Sequence, residues 1–318
     1  MECIEVVAPS HLHVGNIDFD GGLGRLYGTI GFTLENPSIV VKVYRHNGVV
    51  SNDVYAERFA DVLISRYGVD GVKIDVIRRF PEYVGLGYVT HLGFAIGVAI
   101  SHLYDLKLSM KDIALTIKRG LLTALGYYAC GYGGFIVEGG FRRGMLDRMV
   151  PPLIFRGDIP SDWIFVVVVP NLPRKKIVDM RIAREDAILR EVSMDKNLAG
   201  YLSRLVLMKI IPSFIEGDLK GFGEGITEFN RALGSIWLKY QGGIYCCDIV
   251  EKGIEIILRY TTAACQSSWG PTFYGILDDE NRASMLVEEL RRFLDSNGGG
   301  DIFVSRGRNR GLEVRNCG

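Results

Sequence analysis

Pro81-Glu82-Tyr83-Val84-Gly85-Leu86-Gly87-Tyr88-Val89-Thr90-His91 is the stretch best suited to chemistry. Two glycines one residue apart let backbone approach a ligand closely. The helix that follows offers unpaired N–H groups and a positive dipole end. That combination suits a phosphate, with Gly85, Leu86 and Gly87 as the cradle and Thr90 as a side-chain donor; His91 could donate as well. A helix entry that only needs tight packing would read the same way. Thr90 stands where a dinucleotide fingerprint would have its third glycine, and no Gly-Lys-Ser/Thr occurs, so neither the Rossmann nor the Walker pattern applies.

Other polar groups have the right types to join such a site. Asp18 and Arg25 flank a glycine-rich turn, Asp18-Phe19-Asp20-Gly21-Gly22-Leu23-Gly24-Arg25. An acid can steady a developing positive charge and an arginine can grip an anion; a turn-starting Asp and a solvated Arg are the plainer reading. His13 follows the first strand near that turn, and Gly24 lets backbone approach a substrate there. Ser267 and Ser268 could bring hydroxyls from the far half of the chain. Arg306, Arg308 and Arg310 could meet a phosphate or form a solvated basic hairpin.

The elements that would position these groups are legible. Ile4 and Val6, then Ile39, Val41 and Val43, alternate as strands do, and Val72, Ile74 and Val76 repeat the period. Leu92, Ile96, Ala99 and Leu103 recur at helical spacing, with Phe94, Val98 and Ile100 making other faces apolar, so this helix should be buried on most sides. Ser109 with Asp112 predicts a capped second helix. Phe135-Ile136-Val137 reads as a strand, Trp163 to Val169 as a buried one, and Arg174 to Arg190 as an exposed charged helix. The closing strand–helix–strand order (Phe273–Leu277, Ala283–Leu294, Ile302–Val304) suggests α+β. The 318 residues suit about two domains, 1–155 and 156–318.

Lys plus Arg and Asp plus Glu both number 37, which excludes a strongly basic footprint for nucleic acid. The Arg174-Lys175-Lys176 run lacks interleaved aromatics and reads as a solvated edge. No run approaches the ~20 consecutive apolar residues of a membrane span. The six cysteines show no CxxC spacing, so reduced thiols in a cytoplasmic protein, without zinc, are expected.

Pro-x-x-x-Gly-Leu-Gly before a buried helix resembles the second motif of the GHMP kinase superfamily. Ala8-Pro9-Ser10-His11-Leu12-His13 resembles its first motif, and Gln266-Ser267-Ser268-Trp269-Gly270-Pro271-Thr272 its late one. One branch fits better still. Asp18 to Gly31, Gly133 to Gly140, Gln266 to Tyr274 and Arg306 to Gly311 resemble β-ribofuranosylaminobenzene 5′-phosphate synthase. The resemblance implies an α+β two-domain GHMP fold, with an N-terminal domain like ribosomal protein S5 domain 2 and a ferredoxin-like C-terminal domain. It implies a homodimer and a Mg²⁺-dependent reaction joining phosphoribosyl pyrophosphate to 4-aminobenzoate, with loss of CO2 and pyrophosphate, in methanopterin biosynthesis. It makes Asp18 and Arg25 the catalytic candidates. Tyr88, Val89 and His91 replace the family's usual small residues and Gln, and Tyr88 is bulky enough to narrow the pocket. An ATP-dependent GHMP small-molecule kinase is the alternative, and a binding module that keeps the phosphate cradle without catalysis is a third. Gly120 to Gly134 contains no Asp or Glu, and phosphoryl transfer to an alcohol needs an orienting base.

Overall fold

A computed structural model describes residues 2–173, 188 and 191–317. Two long strands, β1 (Cys3–Asp18) and β2 (Arg25–Arg45), pair antiparallel, and the alternating Val and Ile residues read from the sequence form their buried face. β3 (Gly48–Ser51), α1 (Val54–Tyr67) and β4 (Gly71–Arg78) follow, with β4 beside β2 and β3 outermost. α2 (Tyr88–Leu103) has no charged residue beyond its two histidines, and nearly every position is buried, as its apolar faces require. α3 (Met110–Ile117) begins with the expected Ser109/Asp112 capping box. It stops earlier than the spacing of Leu121 implied, at Lys118 in the left-handed region. α4 (Leu125–Gly131), β5 (Phe135–Glu138), β6 (Phe141–Arg142) and β7 (Leu153–Gly157) complete this half; β5 and β6 pair with β2.

The second sheet has the order β11-β8-β10-β9, all antiparallel, from β8 (Ile164–Pro170), β9 (Ala263–Gln266), β10 (Phe273–Leu277) and β11 (Gly300–Arg306). Between β8 and β9 the chain runs through α5 (Lys196–Leu205), a π-turn at Val206–Ile210, α6 (Ile211–Glu216), α7 (Leu219–Gly234), the short α8 (Leu238–Gln241) and α9 (Asp248–Ile257). α10 (Glu280–Asp295) links β10 to β11. Strand order and connections are those of a ferredoxin-like α+β layer. The expected helix over Arg174 to Arg190 and the Arg174-Lys175-Lys176 run fall, but for Ile188, outside the described residues. The continuous helical run Lys196–Glu216 is, by length and composition, apolar enough to cross a bilayer, which the count of consecutive apolar residues had not anticipated. Leu202, Val206, Ile210 and Phe214 face the core, while Leu207, Met208 and Ile215 are exposed.

The two sheets share a core. Phe32 of β2 packs on Phe135 and reaches across to Phe165, Phe222 and Tyr274, with centroid separations from 5.2 to 6.2 Å, the range of favourable aromatic contacts. The chain then returns to its start: β12 (Glu313–Asn316) pairs antiparallel with β1, Ile4 opposite Asn316. That register brings Cys3 against Cys317, and the two are disulfide-bonded, with Cα atoms 5.3 Å apart. The expectation of six free thiols is corrected at these two positions. Cys130 and Cys265 are buried thiols.

The arginine-rich ending is structural. Arg308, 2% exposed, pairs with Glu35 and Glu313 at 2.9 and 3.1 Å, and Arg310 bonds the same two carboxylates. Arg306 bonds Glu280 and the Asp162 carbonyl. The burial of Arg308 departs from the solvated-hairpin reading, and these partners leave the phosphate reading without a free group among the three.

Candidate active site

Gly85 and Gly87 hold φ of 98° and 81°, the left-handed region, and Gly87 caps the start of α2. The space around them permits nothing larger. A Cβ on Gly85 would lie 2.5 Å from the Ser267 carbonyl, and one on Gly87 2.4 Å from the His11 ring. No side chain caps α2, so its first N–H groups stay open to a ligand. The loop is pinned from three sides. His11 N donates to Leu86 O at 3.2 Å, Thr272 N to Val84 O at 3.1 Å, and Ser267 Oγ to Gly85 O at 2.6 Å.

A cleft of about 290 Å³ opens over this helix start. Gly85, Gly87, Thr90, His13 and Ser268 line it, together with Trp269. His13 arrives by a β-bulge between His13 and Gly15, a common device for aiming a side chain. Its backbone is tied to the late loop on both sides: His13 N donates to Ser267 Oγ at 2.9 Å, and Ser268 N donates to His13 O at 3.3 Å. Trp269 packs on Trp237 at 4.3 Å between ring centroids, a rigid aromatic wall. His13, Asn16, Ser268 and Trp269 also line a second cavity of only about 30 Å³, too small for an aromatic ring. A larger hollow of about 930 Å³ beneath α7 shares no residue with the glycine loop and mixes acids with bases.

Two cations that the sequence reading passed over line the cleft: Lys118 and Arg119, consecutive after α3. Both are exposed, so they can reorient toward an anion. Lys118-Arg119-Gly120 directly after a capped helix was the available signal, but its proximity to the glycine loop is tertiary. Asp147, also at the cleft, is its one carboxylate among the described residues.

Several expected site residues lie elsewhere. Asp18 closes β1 and its Oδ1 accepts the amides of Asp20 and Gly21 at 2.7 and 2.8 Å. Arg25 donates to the carbonyls of Gly139 and Gly140, both at 2.7 Å. Each secures the turn between β1 and β2, and neither lines the cleft. Gly24 stands at the exposed tip of that turn. Leu86 is fully buried and contributes backbone only. His91 points inward: it is fully buried, with Nε2 2.7 Å from His11 Nδ1 and Nδ1 3.4 Å from Cys130 Sγ. One residue along a helix is a rotation of ~100°, so Thr90 faces the cleft while His91 faces the core. The Ser267 hydroxyl is fully engaged within the protein, which leaves Ser268 to meet a ligand. The Tyr88 phenol is buried and donates to Asp53 at 2.6 Å.

Burial lowers His11 to about 4, and burial followed by the neighbouring His11 holds His91 well below the usual imidazole range. Both rings are therefore neutral near pH 7. Glu138, fully buried, accepts the amides of Gly140 at 2.6 Å and Ala124 at 3.3 Å, yet desolvation pushes its carboxyl up to about 7. No group of three or more His, Cys, Asp or Glu able to hold a metal exists among the described residues. Mg²⁺ commonly binds through substrate phosphates and one or two carboxylates, and Asp147 offers one such oxygen donor.

Residues 210–296 match the family described as GHMP kinases C terminal. Among solved structures, homoserine kinase from Cytophaga hutchinsonii superposes with a TM-score of 0.67 at 16% identity, covering 99% of this chain and 98% of that one. Mevalonate diphosphate decarboxylase from Staphylococcus aureus gives 0.65 at 16%, covering 99% and 98%. At such identities these likenesses establish the fold. The β-ribofuranosylphenol 5′-phosphate synthase of Methanocaldococcus jannaschii is 30% identical across 97% of this chain and 99% of its own length. That of Archaeoglobus fulgidus is also 30% identical, across 96% and 97%. With a glycine cradle at an uncapped helix, two cations beside it and full-length similarity of this order, the chain belongs to the β-ribofuranosylphenol 5′-phosphate synthase family within the GHMP kinase superfamily.

Proposed function

We propose that the protein transfers a 5-phosphoribosyl group from phosphoribosyl pyrophosphate to a para-substituted benzoate, releasing CO2 and pyrophosphate, in the supply of methanopterin-class carriers. The observation that carries this is the cleft: an uncapped helix start and two exposed cations border one space lined by a rigid tryptophan. The ribose C1–oxygen bond breaks and its electron pair leaves with pyrophosphate. The ring carbon bearing the carboxylate bonds to ribose C1, and loss of CO2 returns a pair to the ring.

An aromatic carbon is a weak nucleophile, so departure of pyrophosphate must be well advanced when the new bond forms. Charge builds on the leaving group, where the α2 N–H groups, Thr90, Lys118 and Arg119 can meet it. At 4 Å and an effective dielectric near 20, one cation–anion attraction is about 4 kcal/mol, roughly a thousandfold in rate if confined to the transition state. Trp269 offers a face for the benzoate ring, with His13 and Ser268 as polar contacts. Mg²⁺, held by pyrophosphate oxygens and Asp147, would supply further neutralisation of the leaving group.

The relatives' name specifies a phenol product, which supports 4-hydroxybenzoate as acceptor beside 4-aminobenzoate. Incubation with phosphoribosyl pyrophosphate, Mg²⁺ and either benzoate carrying a labelled carboxyl group should release labelled CO2. Absence of CO2 with both acceptors, alongside ATP consumption with homoserine or mevalonate, would replace this reading with a kinase.

A further inference from the structure

His11 follows the Ala8/Ser10 irregularity of β1 and lines the cleft beside the first turn of α2. Its ring is clamped between two glycines. A Cβ on Gly87 would lie 2.4 Å from His11 Cε1, and one on Gly126 3.6 Å from the same atom. Nδ1 is committed to His91 Nε2 at 2.7 Å. Among the described residues nothing bonds His11 Nε2, and it is not one of the sealed polar atoms of the interior; its outlet is the cleft.

The direction of the hydrogen bonds follows from what holds His91. Its Nδ1 lies 3.4 Å from Cys130 Sγ, and the ring also bonds the backbone of Pro9. Proline has no N–H, so that backbone group can only accept, a demand that is met when Nδ1 of His91 carries the proton. His91 Nε2 then presents a lone pair to His11 Nδ1–H. The one lone pair left in the chain is on His11 Nε2, facing an anion cradle. A phosphate oxygen repels a lone pair and attracts a proton.

We infer that binding of the donor's pyrophosphoryl group draws one proton from solvent onto His11 Nε2, making the neutral histidine pair a cationic phosphate ligand held in register by His91. This rests on the phosphoribosyl reading. The solvent proton goes to Nε2, which donates it as a hydrogen bond to a phosphate oxygen. The Nδ1 hydrogen stays on His11 and still serves His91. When pyrophosphate leaves, the proton returns to solvent.

The groups around His11 define the balance. Lys118, Arg119 and the α2 dipole oppose charging, Asp147 favours it, and His13, Tyr83 and Tyr88 also border the cleft. Cys130, behind His91, is kept a neutral thiol by burial. With the cleft empty, burial keeps His11 neutral at neutral pH; a polyanion in contact reverses the balance by direct attraction.

The experiment is calorimetry of pyrophosphate with Mg²⁺, and of phosphoribosyl pyrophosphate with Mg²⁺, in buffers of different ionisation enthalpy at pH 6. The native protein should take up ~1 proton more per bound ligand than His11→Gln, as expected when one imidazole charges. His91→Gln keeps an acceptor for Nδ1–H and should retain most of that uptake. Nitrogen-15 spectra of the native protein, which has five histidines, should show one ring losing its unprotonated-nitrogen signal when pyrophosphate is added. This second measurement needs no variant. Binding with equal proton uptake in the native protein and His11→Gln, or with every ring spectrum unchanged, overturns the inference and leaves the phosphoribosyl reading intact. Failure of both ligands to bind overturns both.

Discussion

The Ser267 hydroxyl donates to the carbonyl of Gly85 at 2.6 Å across 182 positions of sequence. The same oxygen accepts His13 N at 2.9 Å. One buried atom thus joins the late loop to the glycine cradle and to the first strand. Ser267→Ala leaves a carbonyl and an amide unpaired, and should cost about 1–3 kcal/mol. It should also raise the KM for phosphoribosyl pyrophosphate. Ser268→Ala, by contrast, should change KM with little change in melting temperature. Thermal melts beside steady-state kinetics separate the two.

Lys118 and Arg119 are exposed and contribute little to packing. Lys118→Met and Arg119→Met should each raise the KM for phosphoribosyl pyrophosphate by roughly 10-fold, about one charge-assisted contact. Stability should move by no more than ~0.5 kcal/mol. Equal KM values in native and variant protein across a salt series would remove these cations from the site.

Glu138 makes stability depend on pH in an unusual direction. Its folded-state carboxyl is raised to about 7 by burial, so between about 4.5 and 7 the folded chain holds a proton that the unfolded chain has lost. Its contribution is present at low pH and is lost as pH rises through that window, by at most ~3 kcal/mol. His11 and His91, held neutral by burial, act oppositely: their contribution is present above the usual imidazole range and is lost as pH falls. Comparing Glu138→Gln with the native protein isolates the carboxyl. The variant's melting temperature should fall less, or rise, between pH 5 and 7.

Arg308 is buried between Glu35 and Glu313 and lies outside the cleft. Arg308→Met removes the buried partner of two carboxylates that Arg310 still pairs, and should destabilise by about 1–3 kcal/mol. Turnover per folded molecule at a temperature below unfolding should not change. A proportional loss of kcat with stability unaffected would mean that the arginine serves the reaction instead.

Local signals were legible because local rules govern them. The alternating Val41 and Val43, the Ser109–Asp112 cap and the Gly85/Gly87 turn each follow from a few neighbouring residues. What stayed hidden depends on long-range placement. Asp18 has the right type for catalysis, but its carboxylate is satisfied by the amides of Asp20 and Gly21. Arg25 is held by two glycine carbonyls more than a hundred positions away, which no reading of spacing could reveal. Thr90 and His91 were both plausible phosphate donors, and only the angular step of a helix, fixed once its buried face is known, turns one to the cleft and the other to the core. Cys3 and Cys317 pair because β12 returns to β1, a closure that no cysteine spacing signals.

That closure has a mechanical consequence. The first and last strands described lie side by side and are covalently joined where they meet. Tension applied to the two ends of the chain would pass through the sulfur bridge instead of the interior. The cleft and its glycine cradle would feel such a load only after that link had been cut.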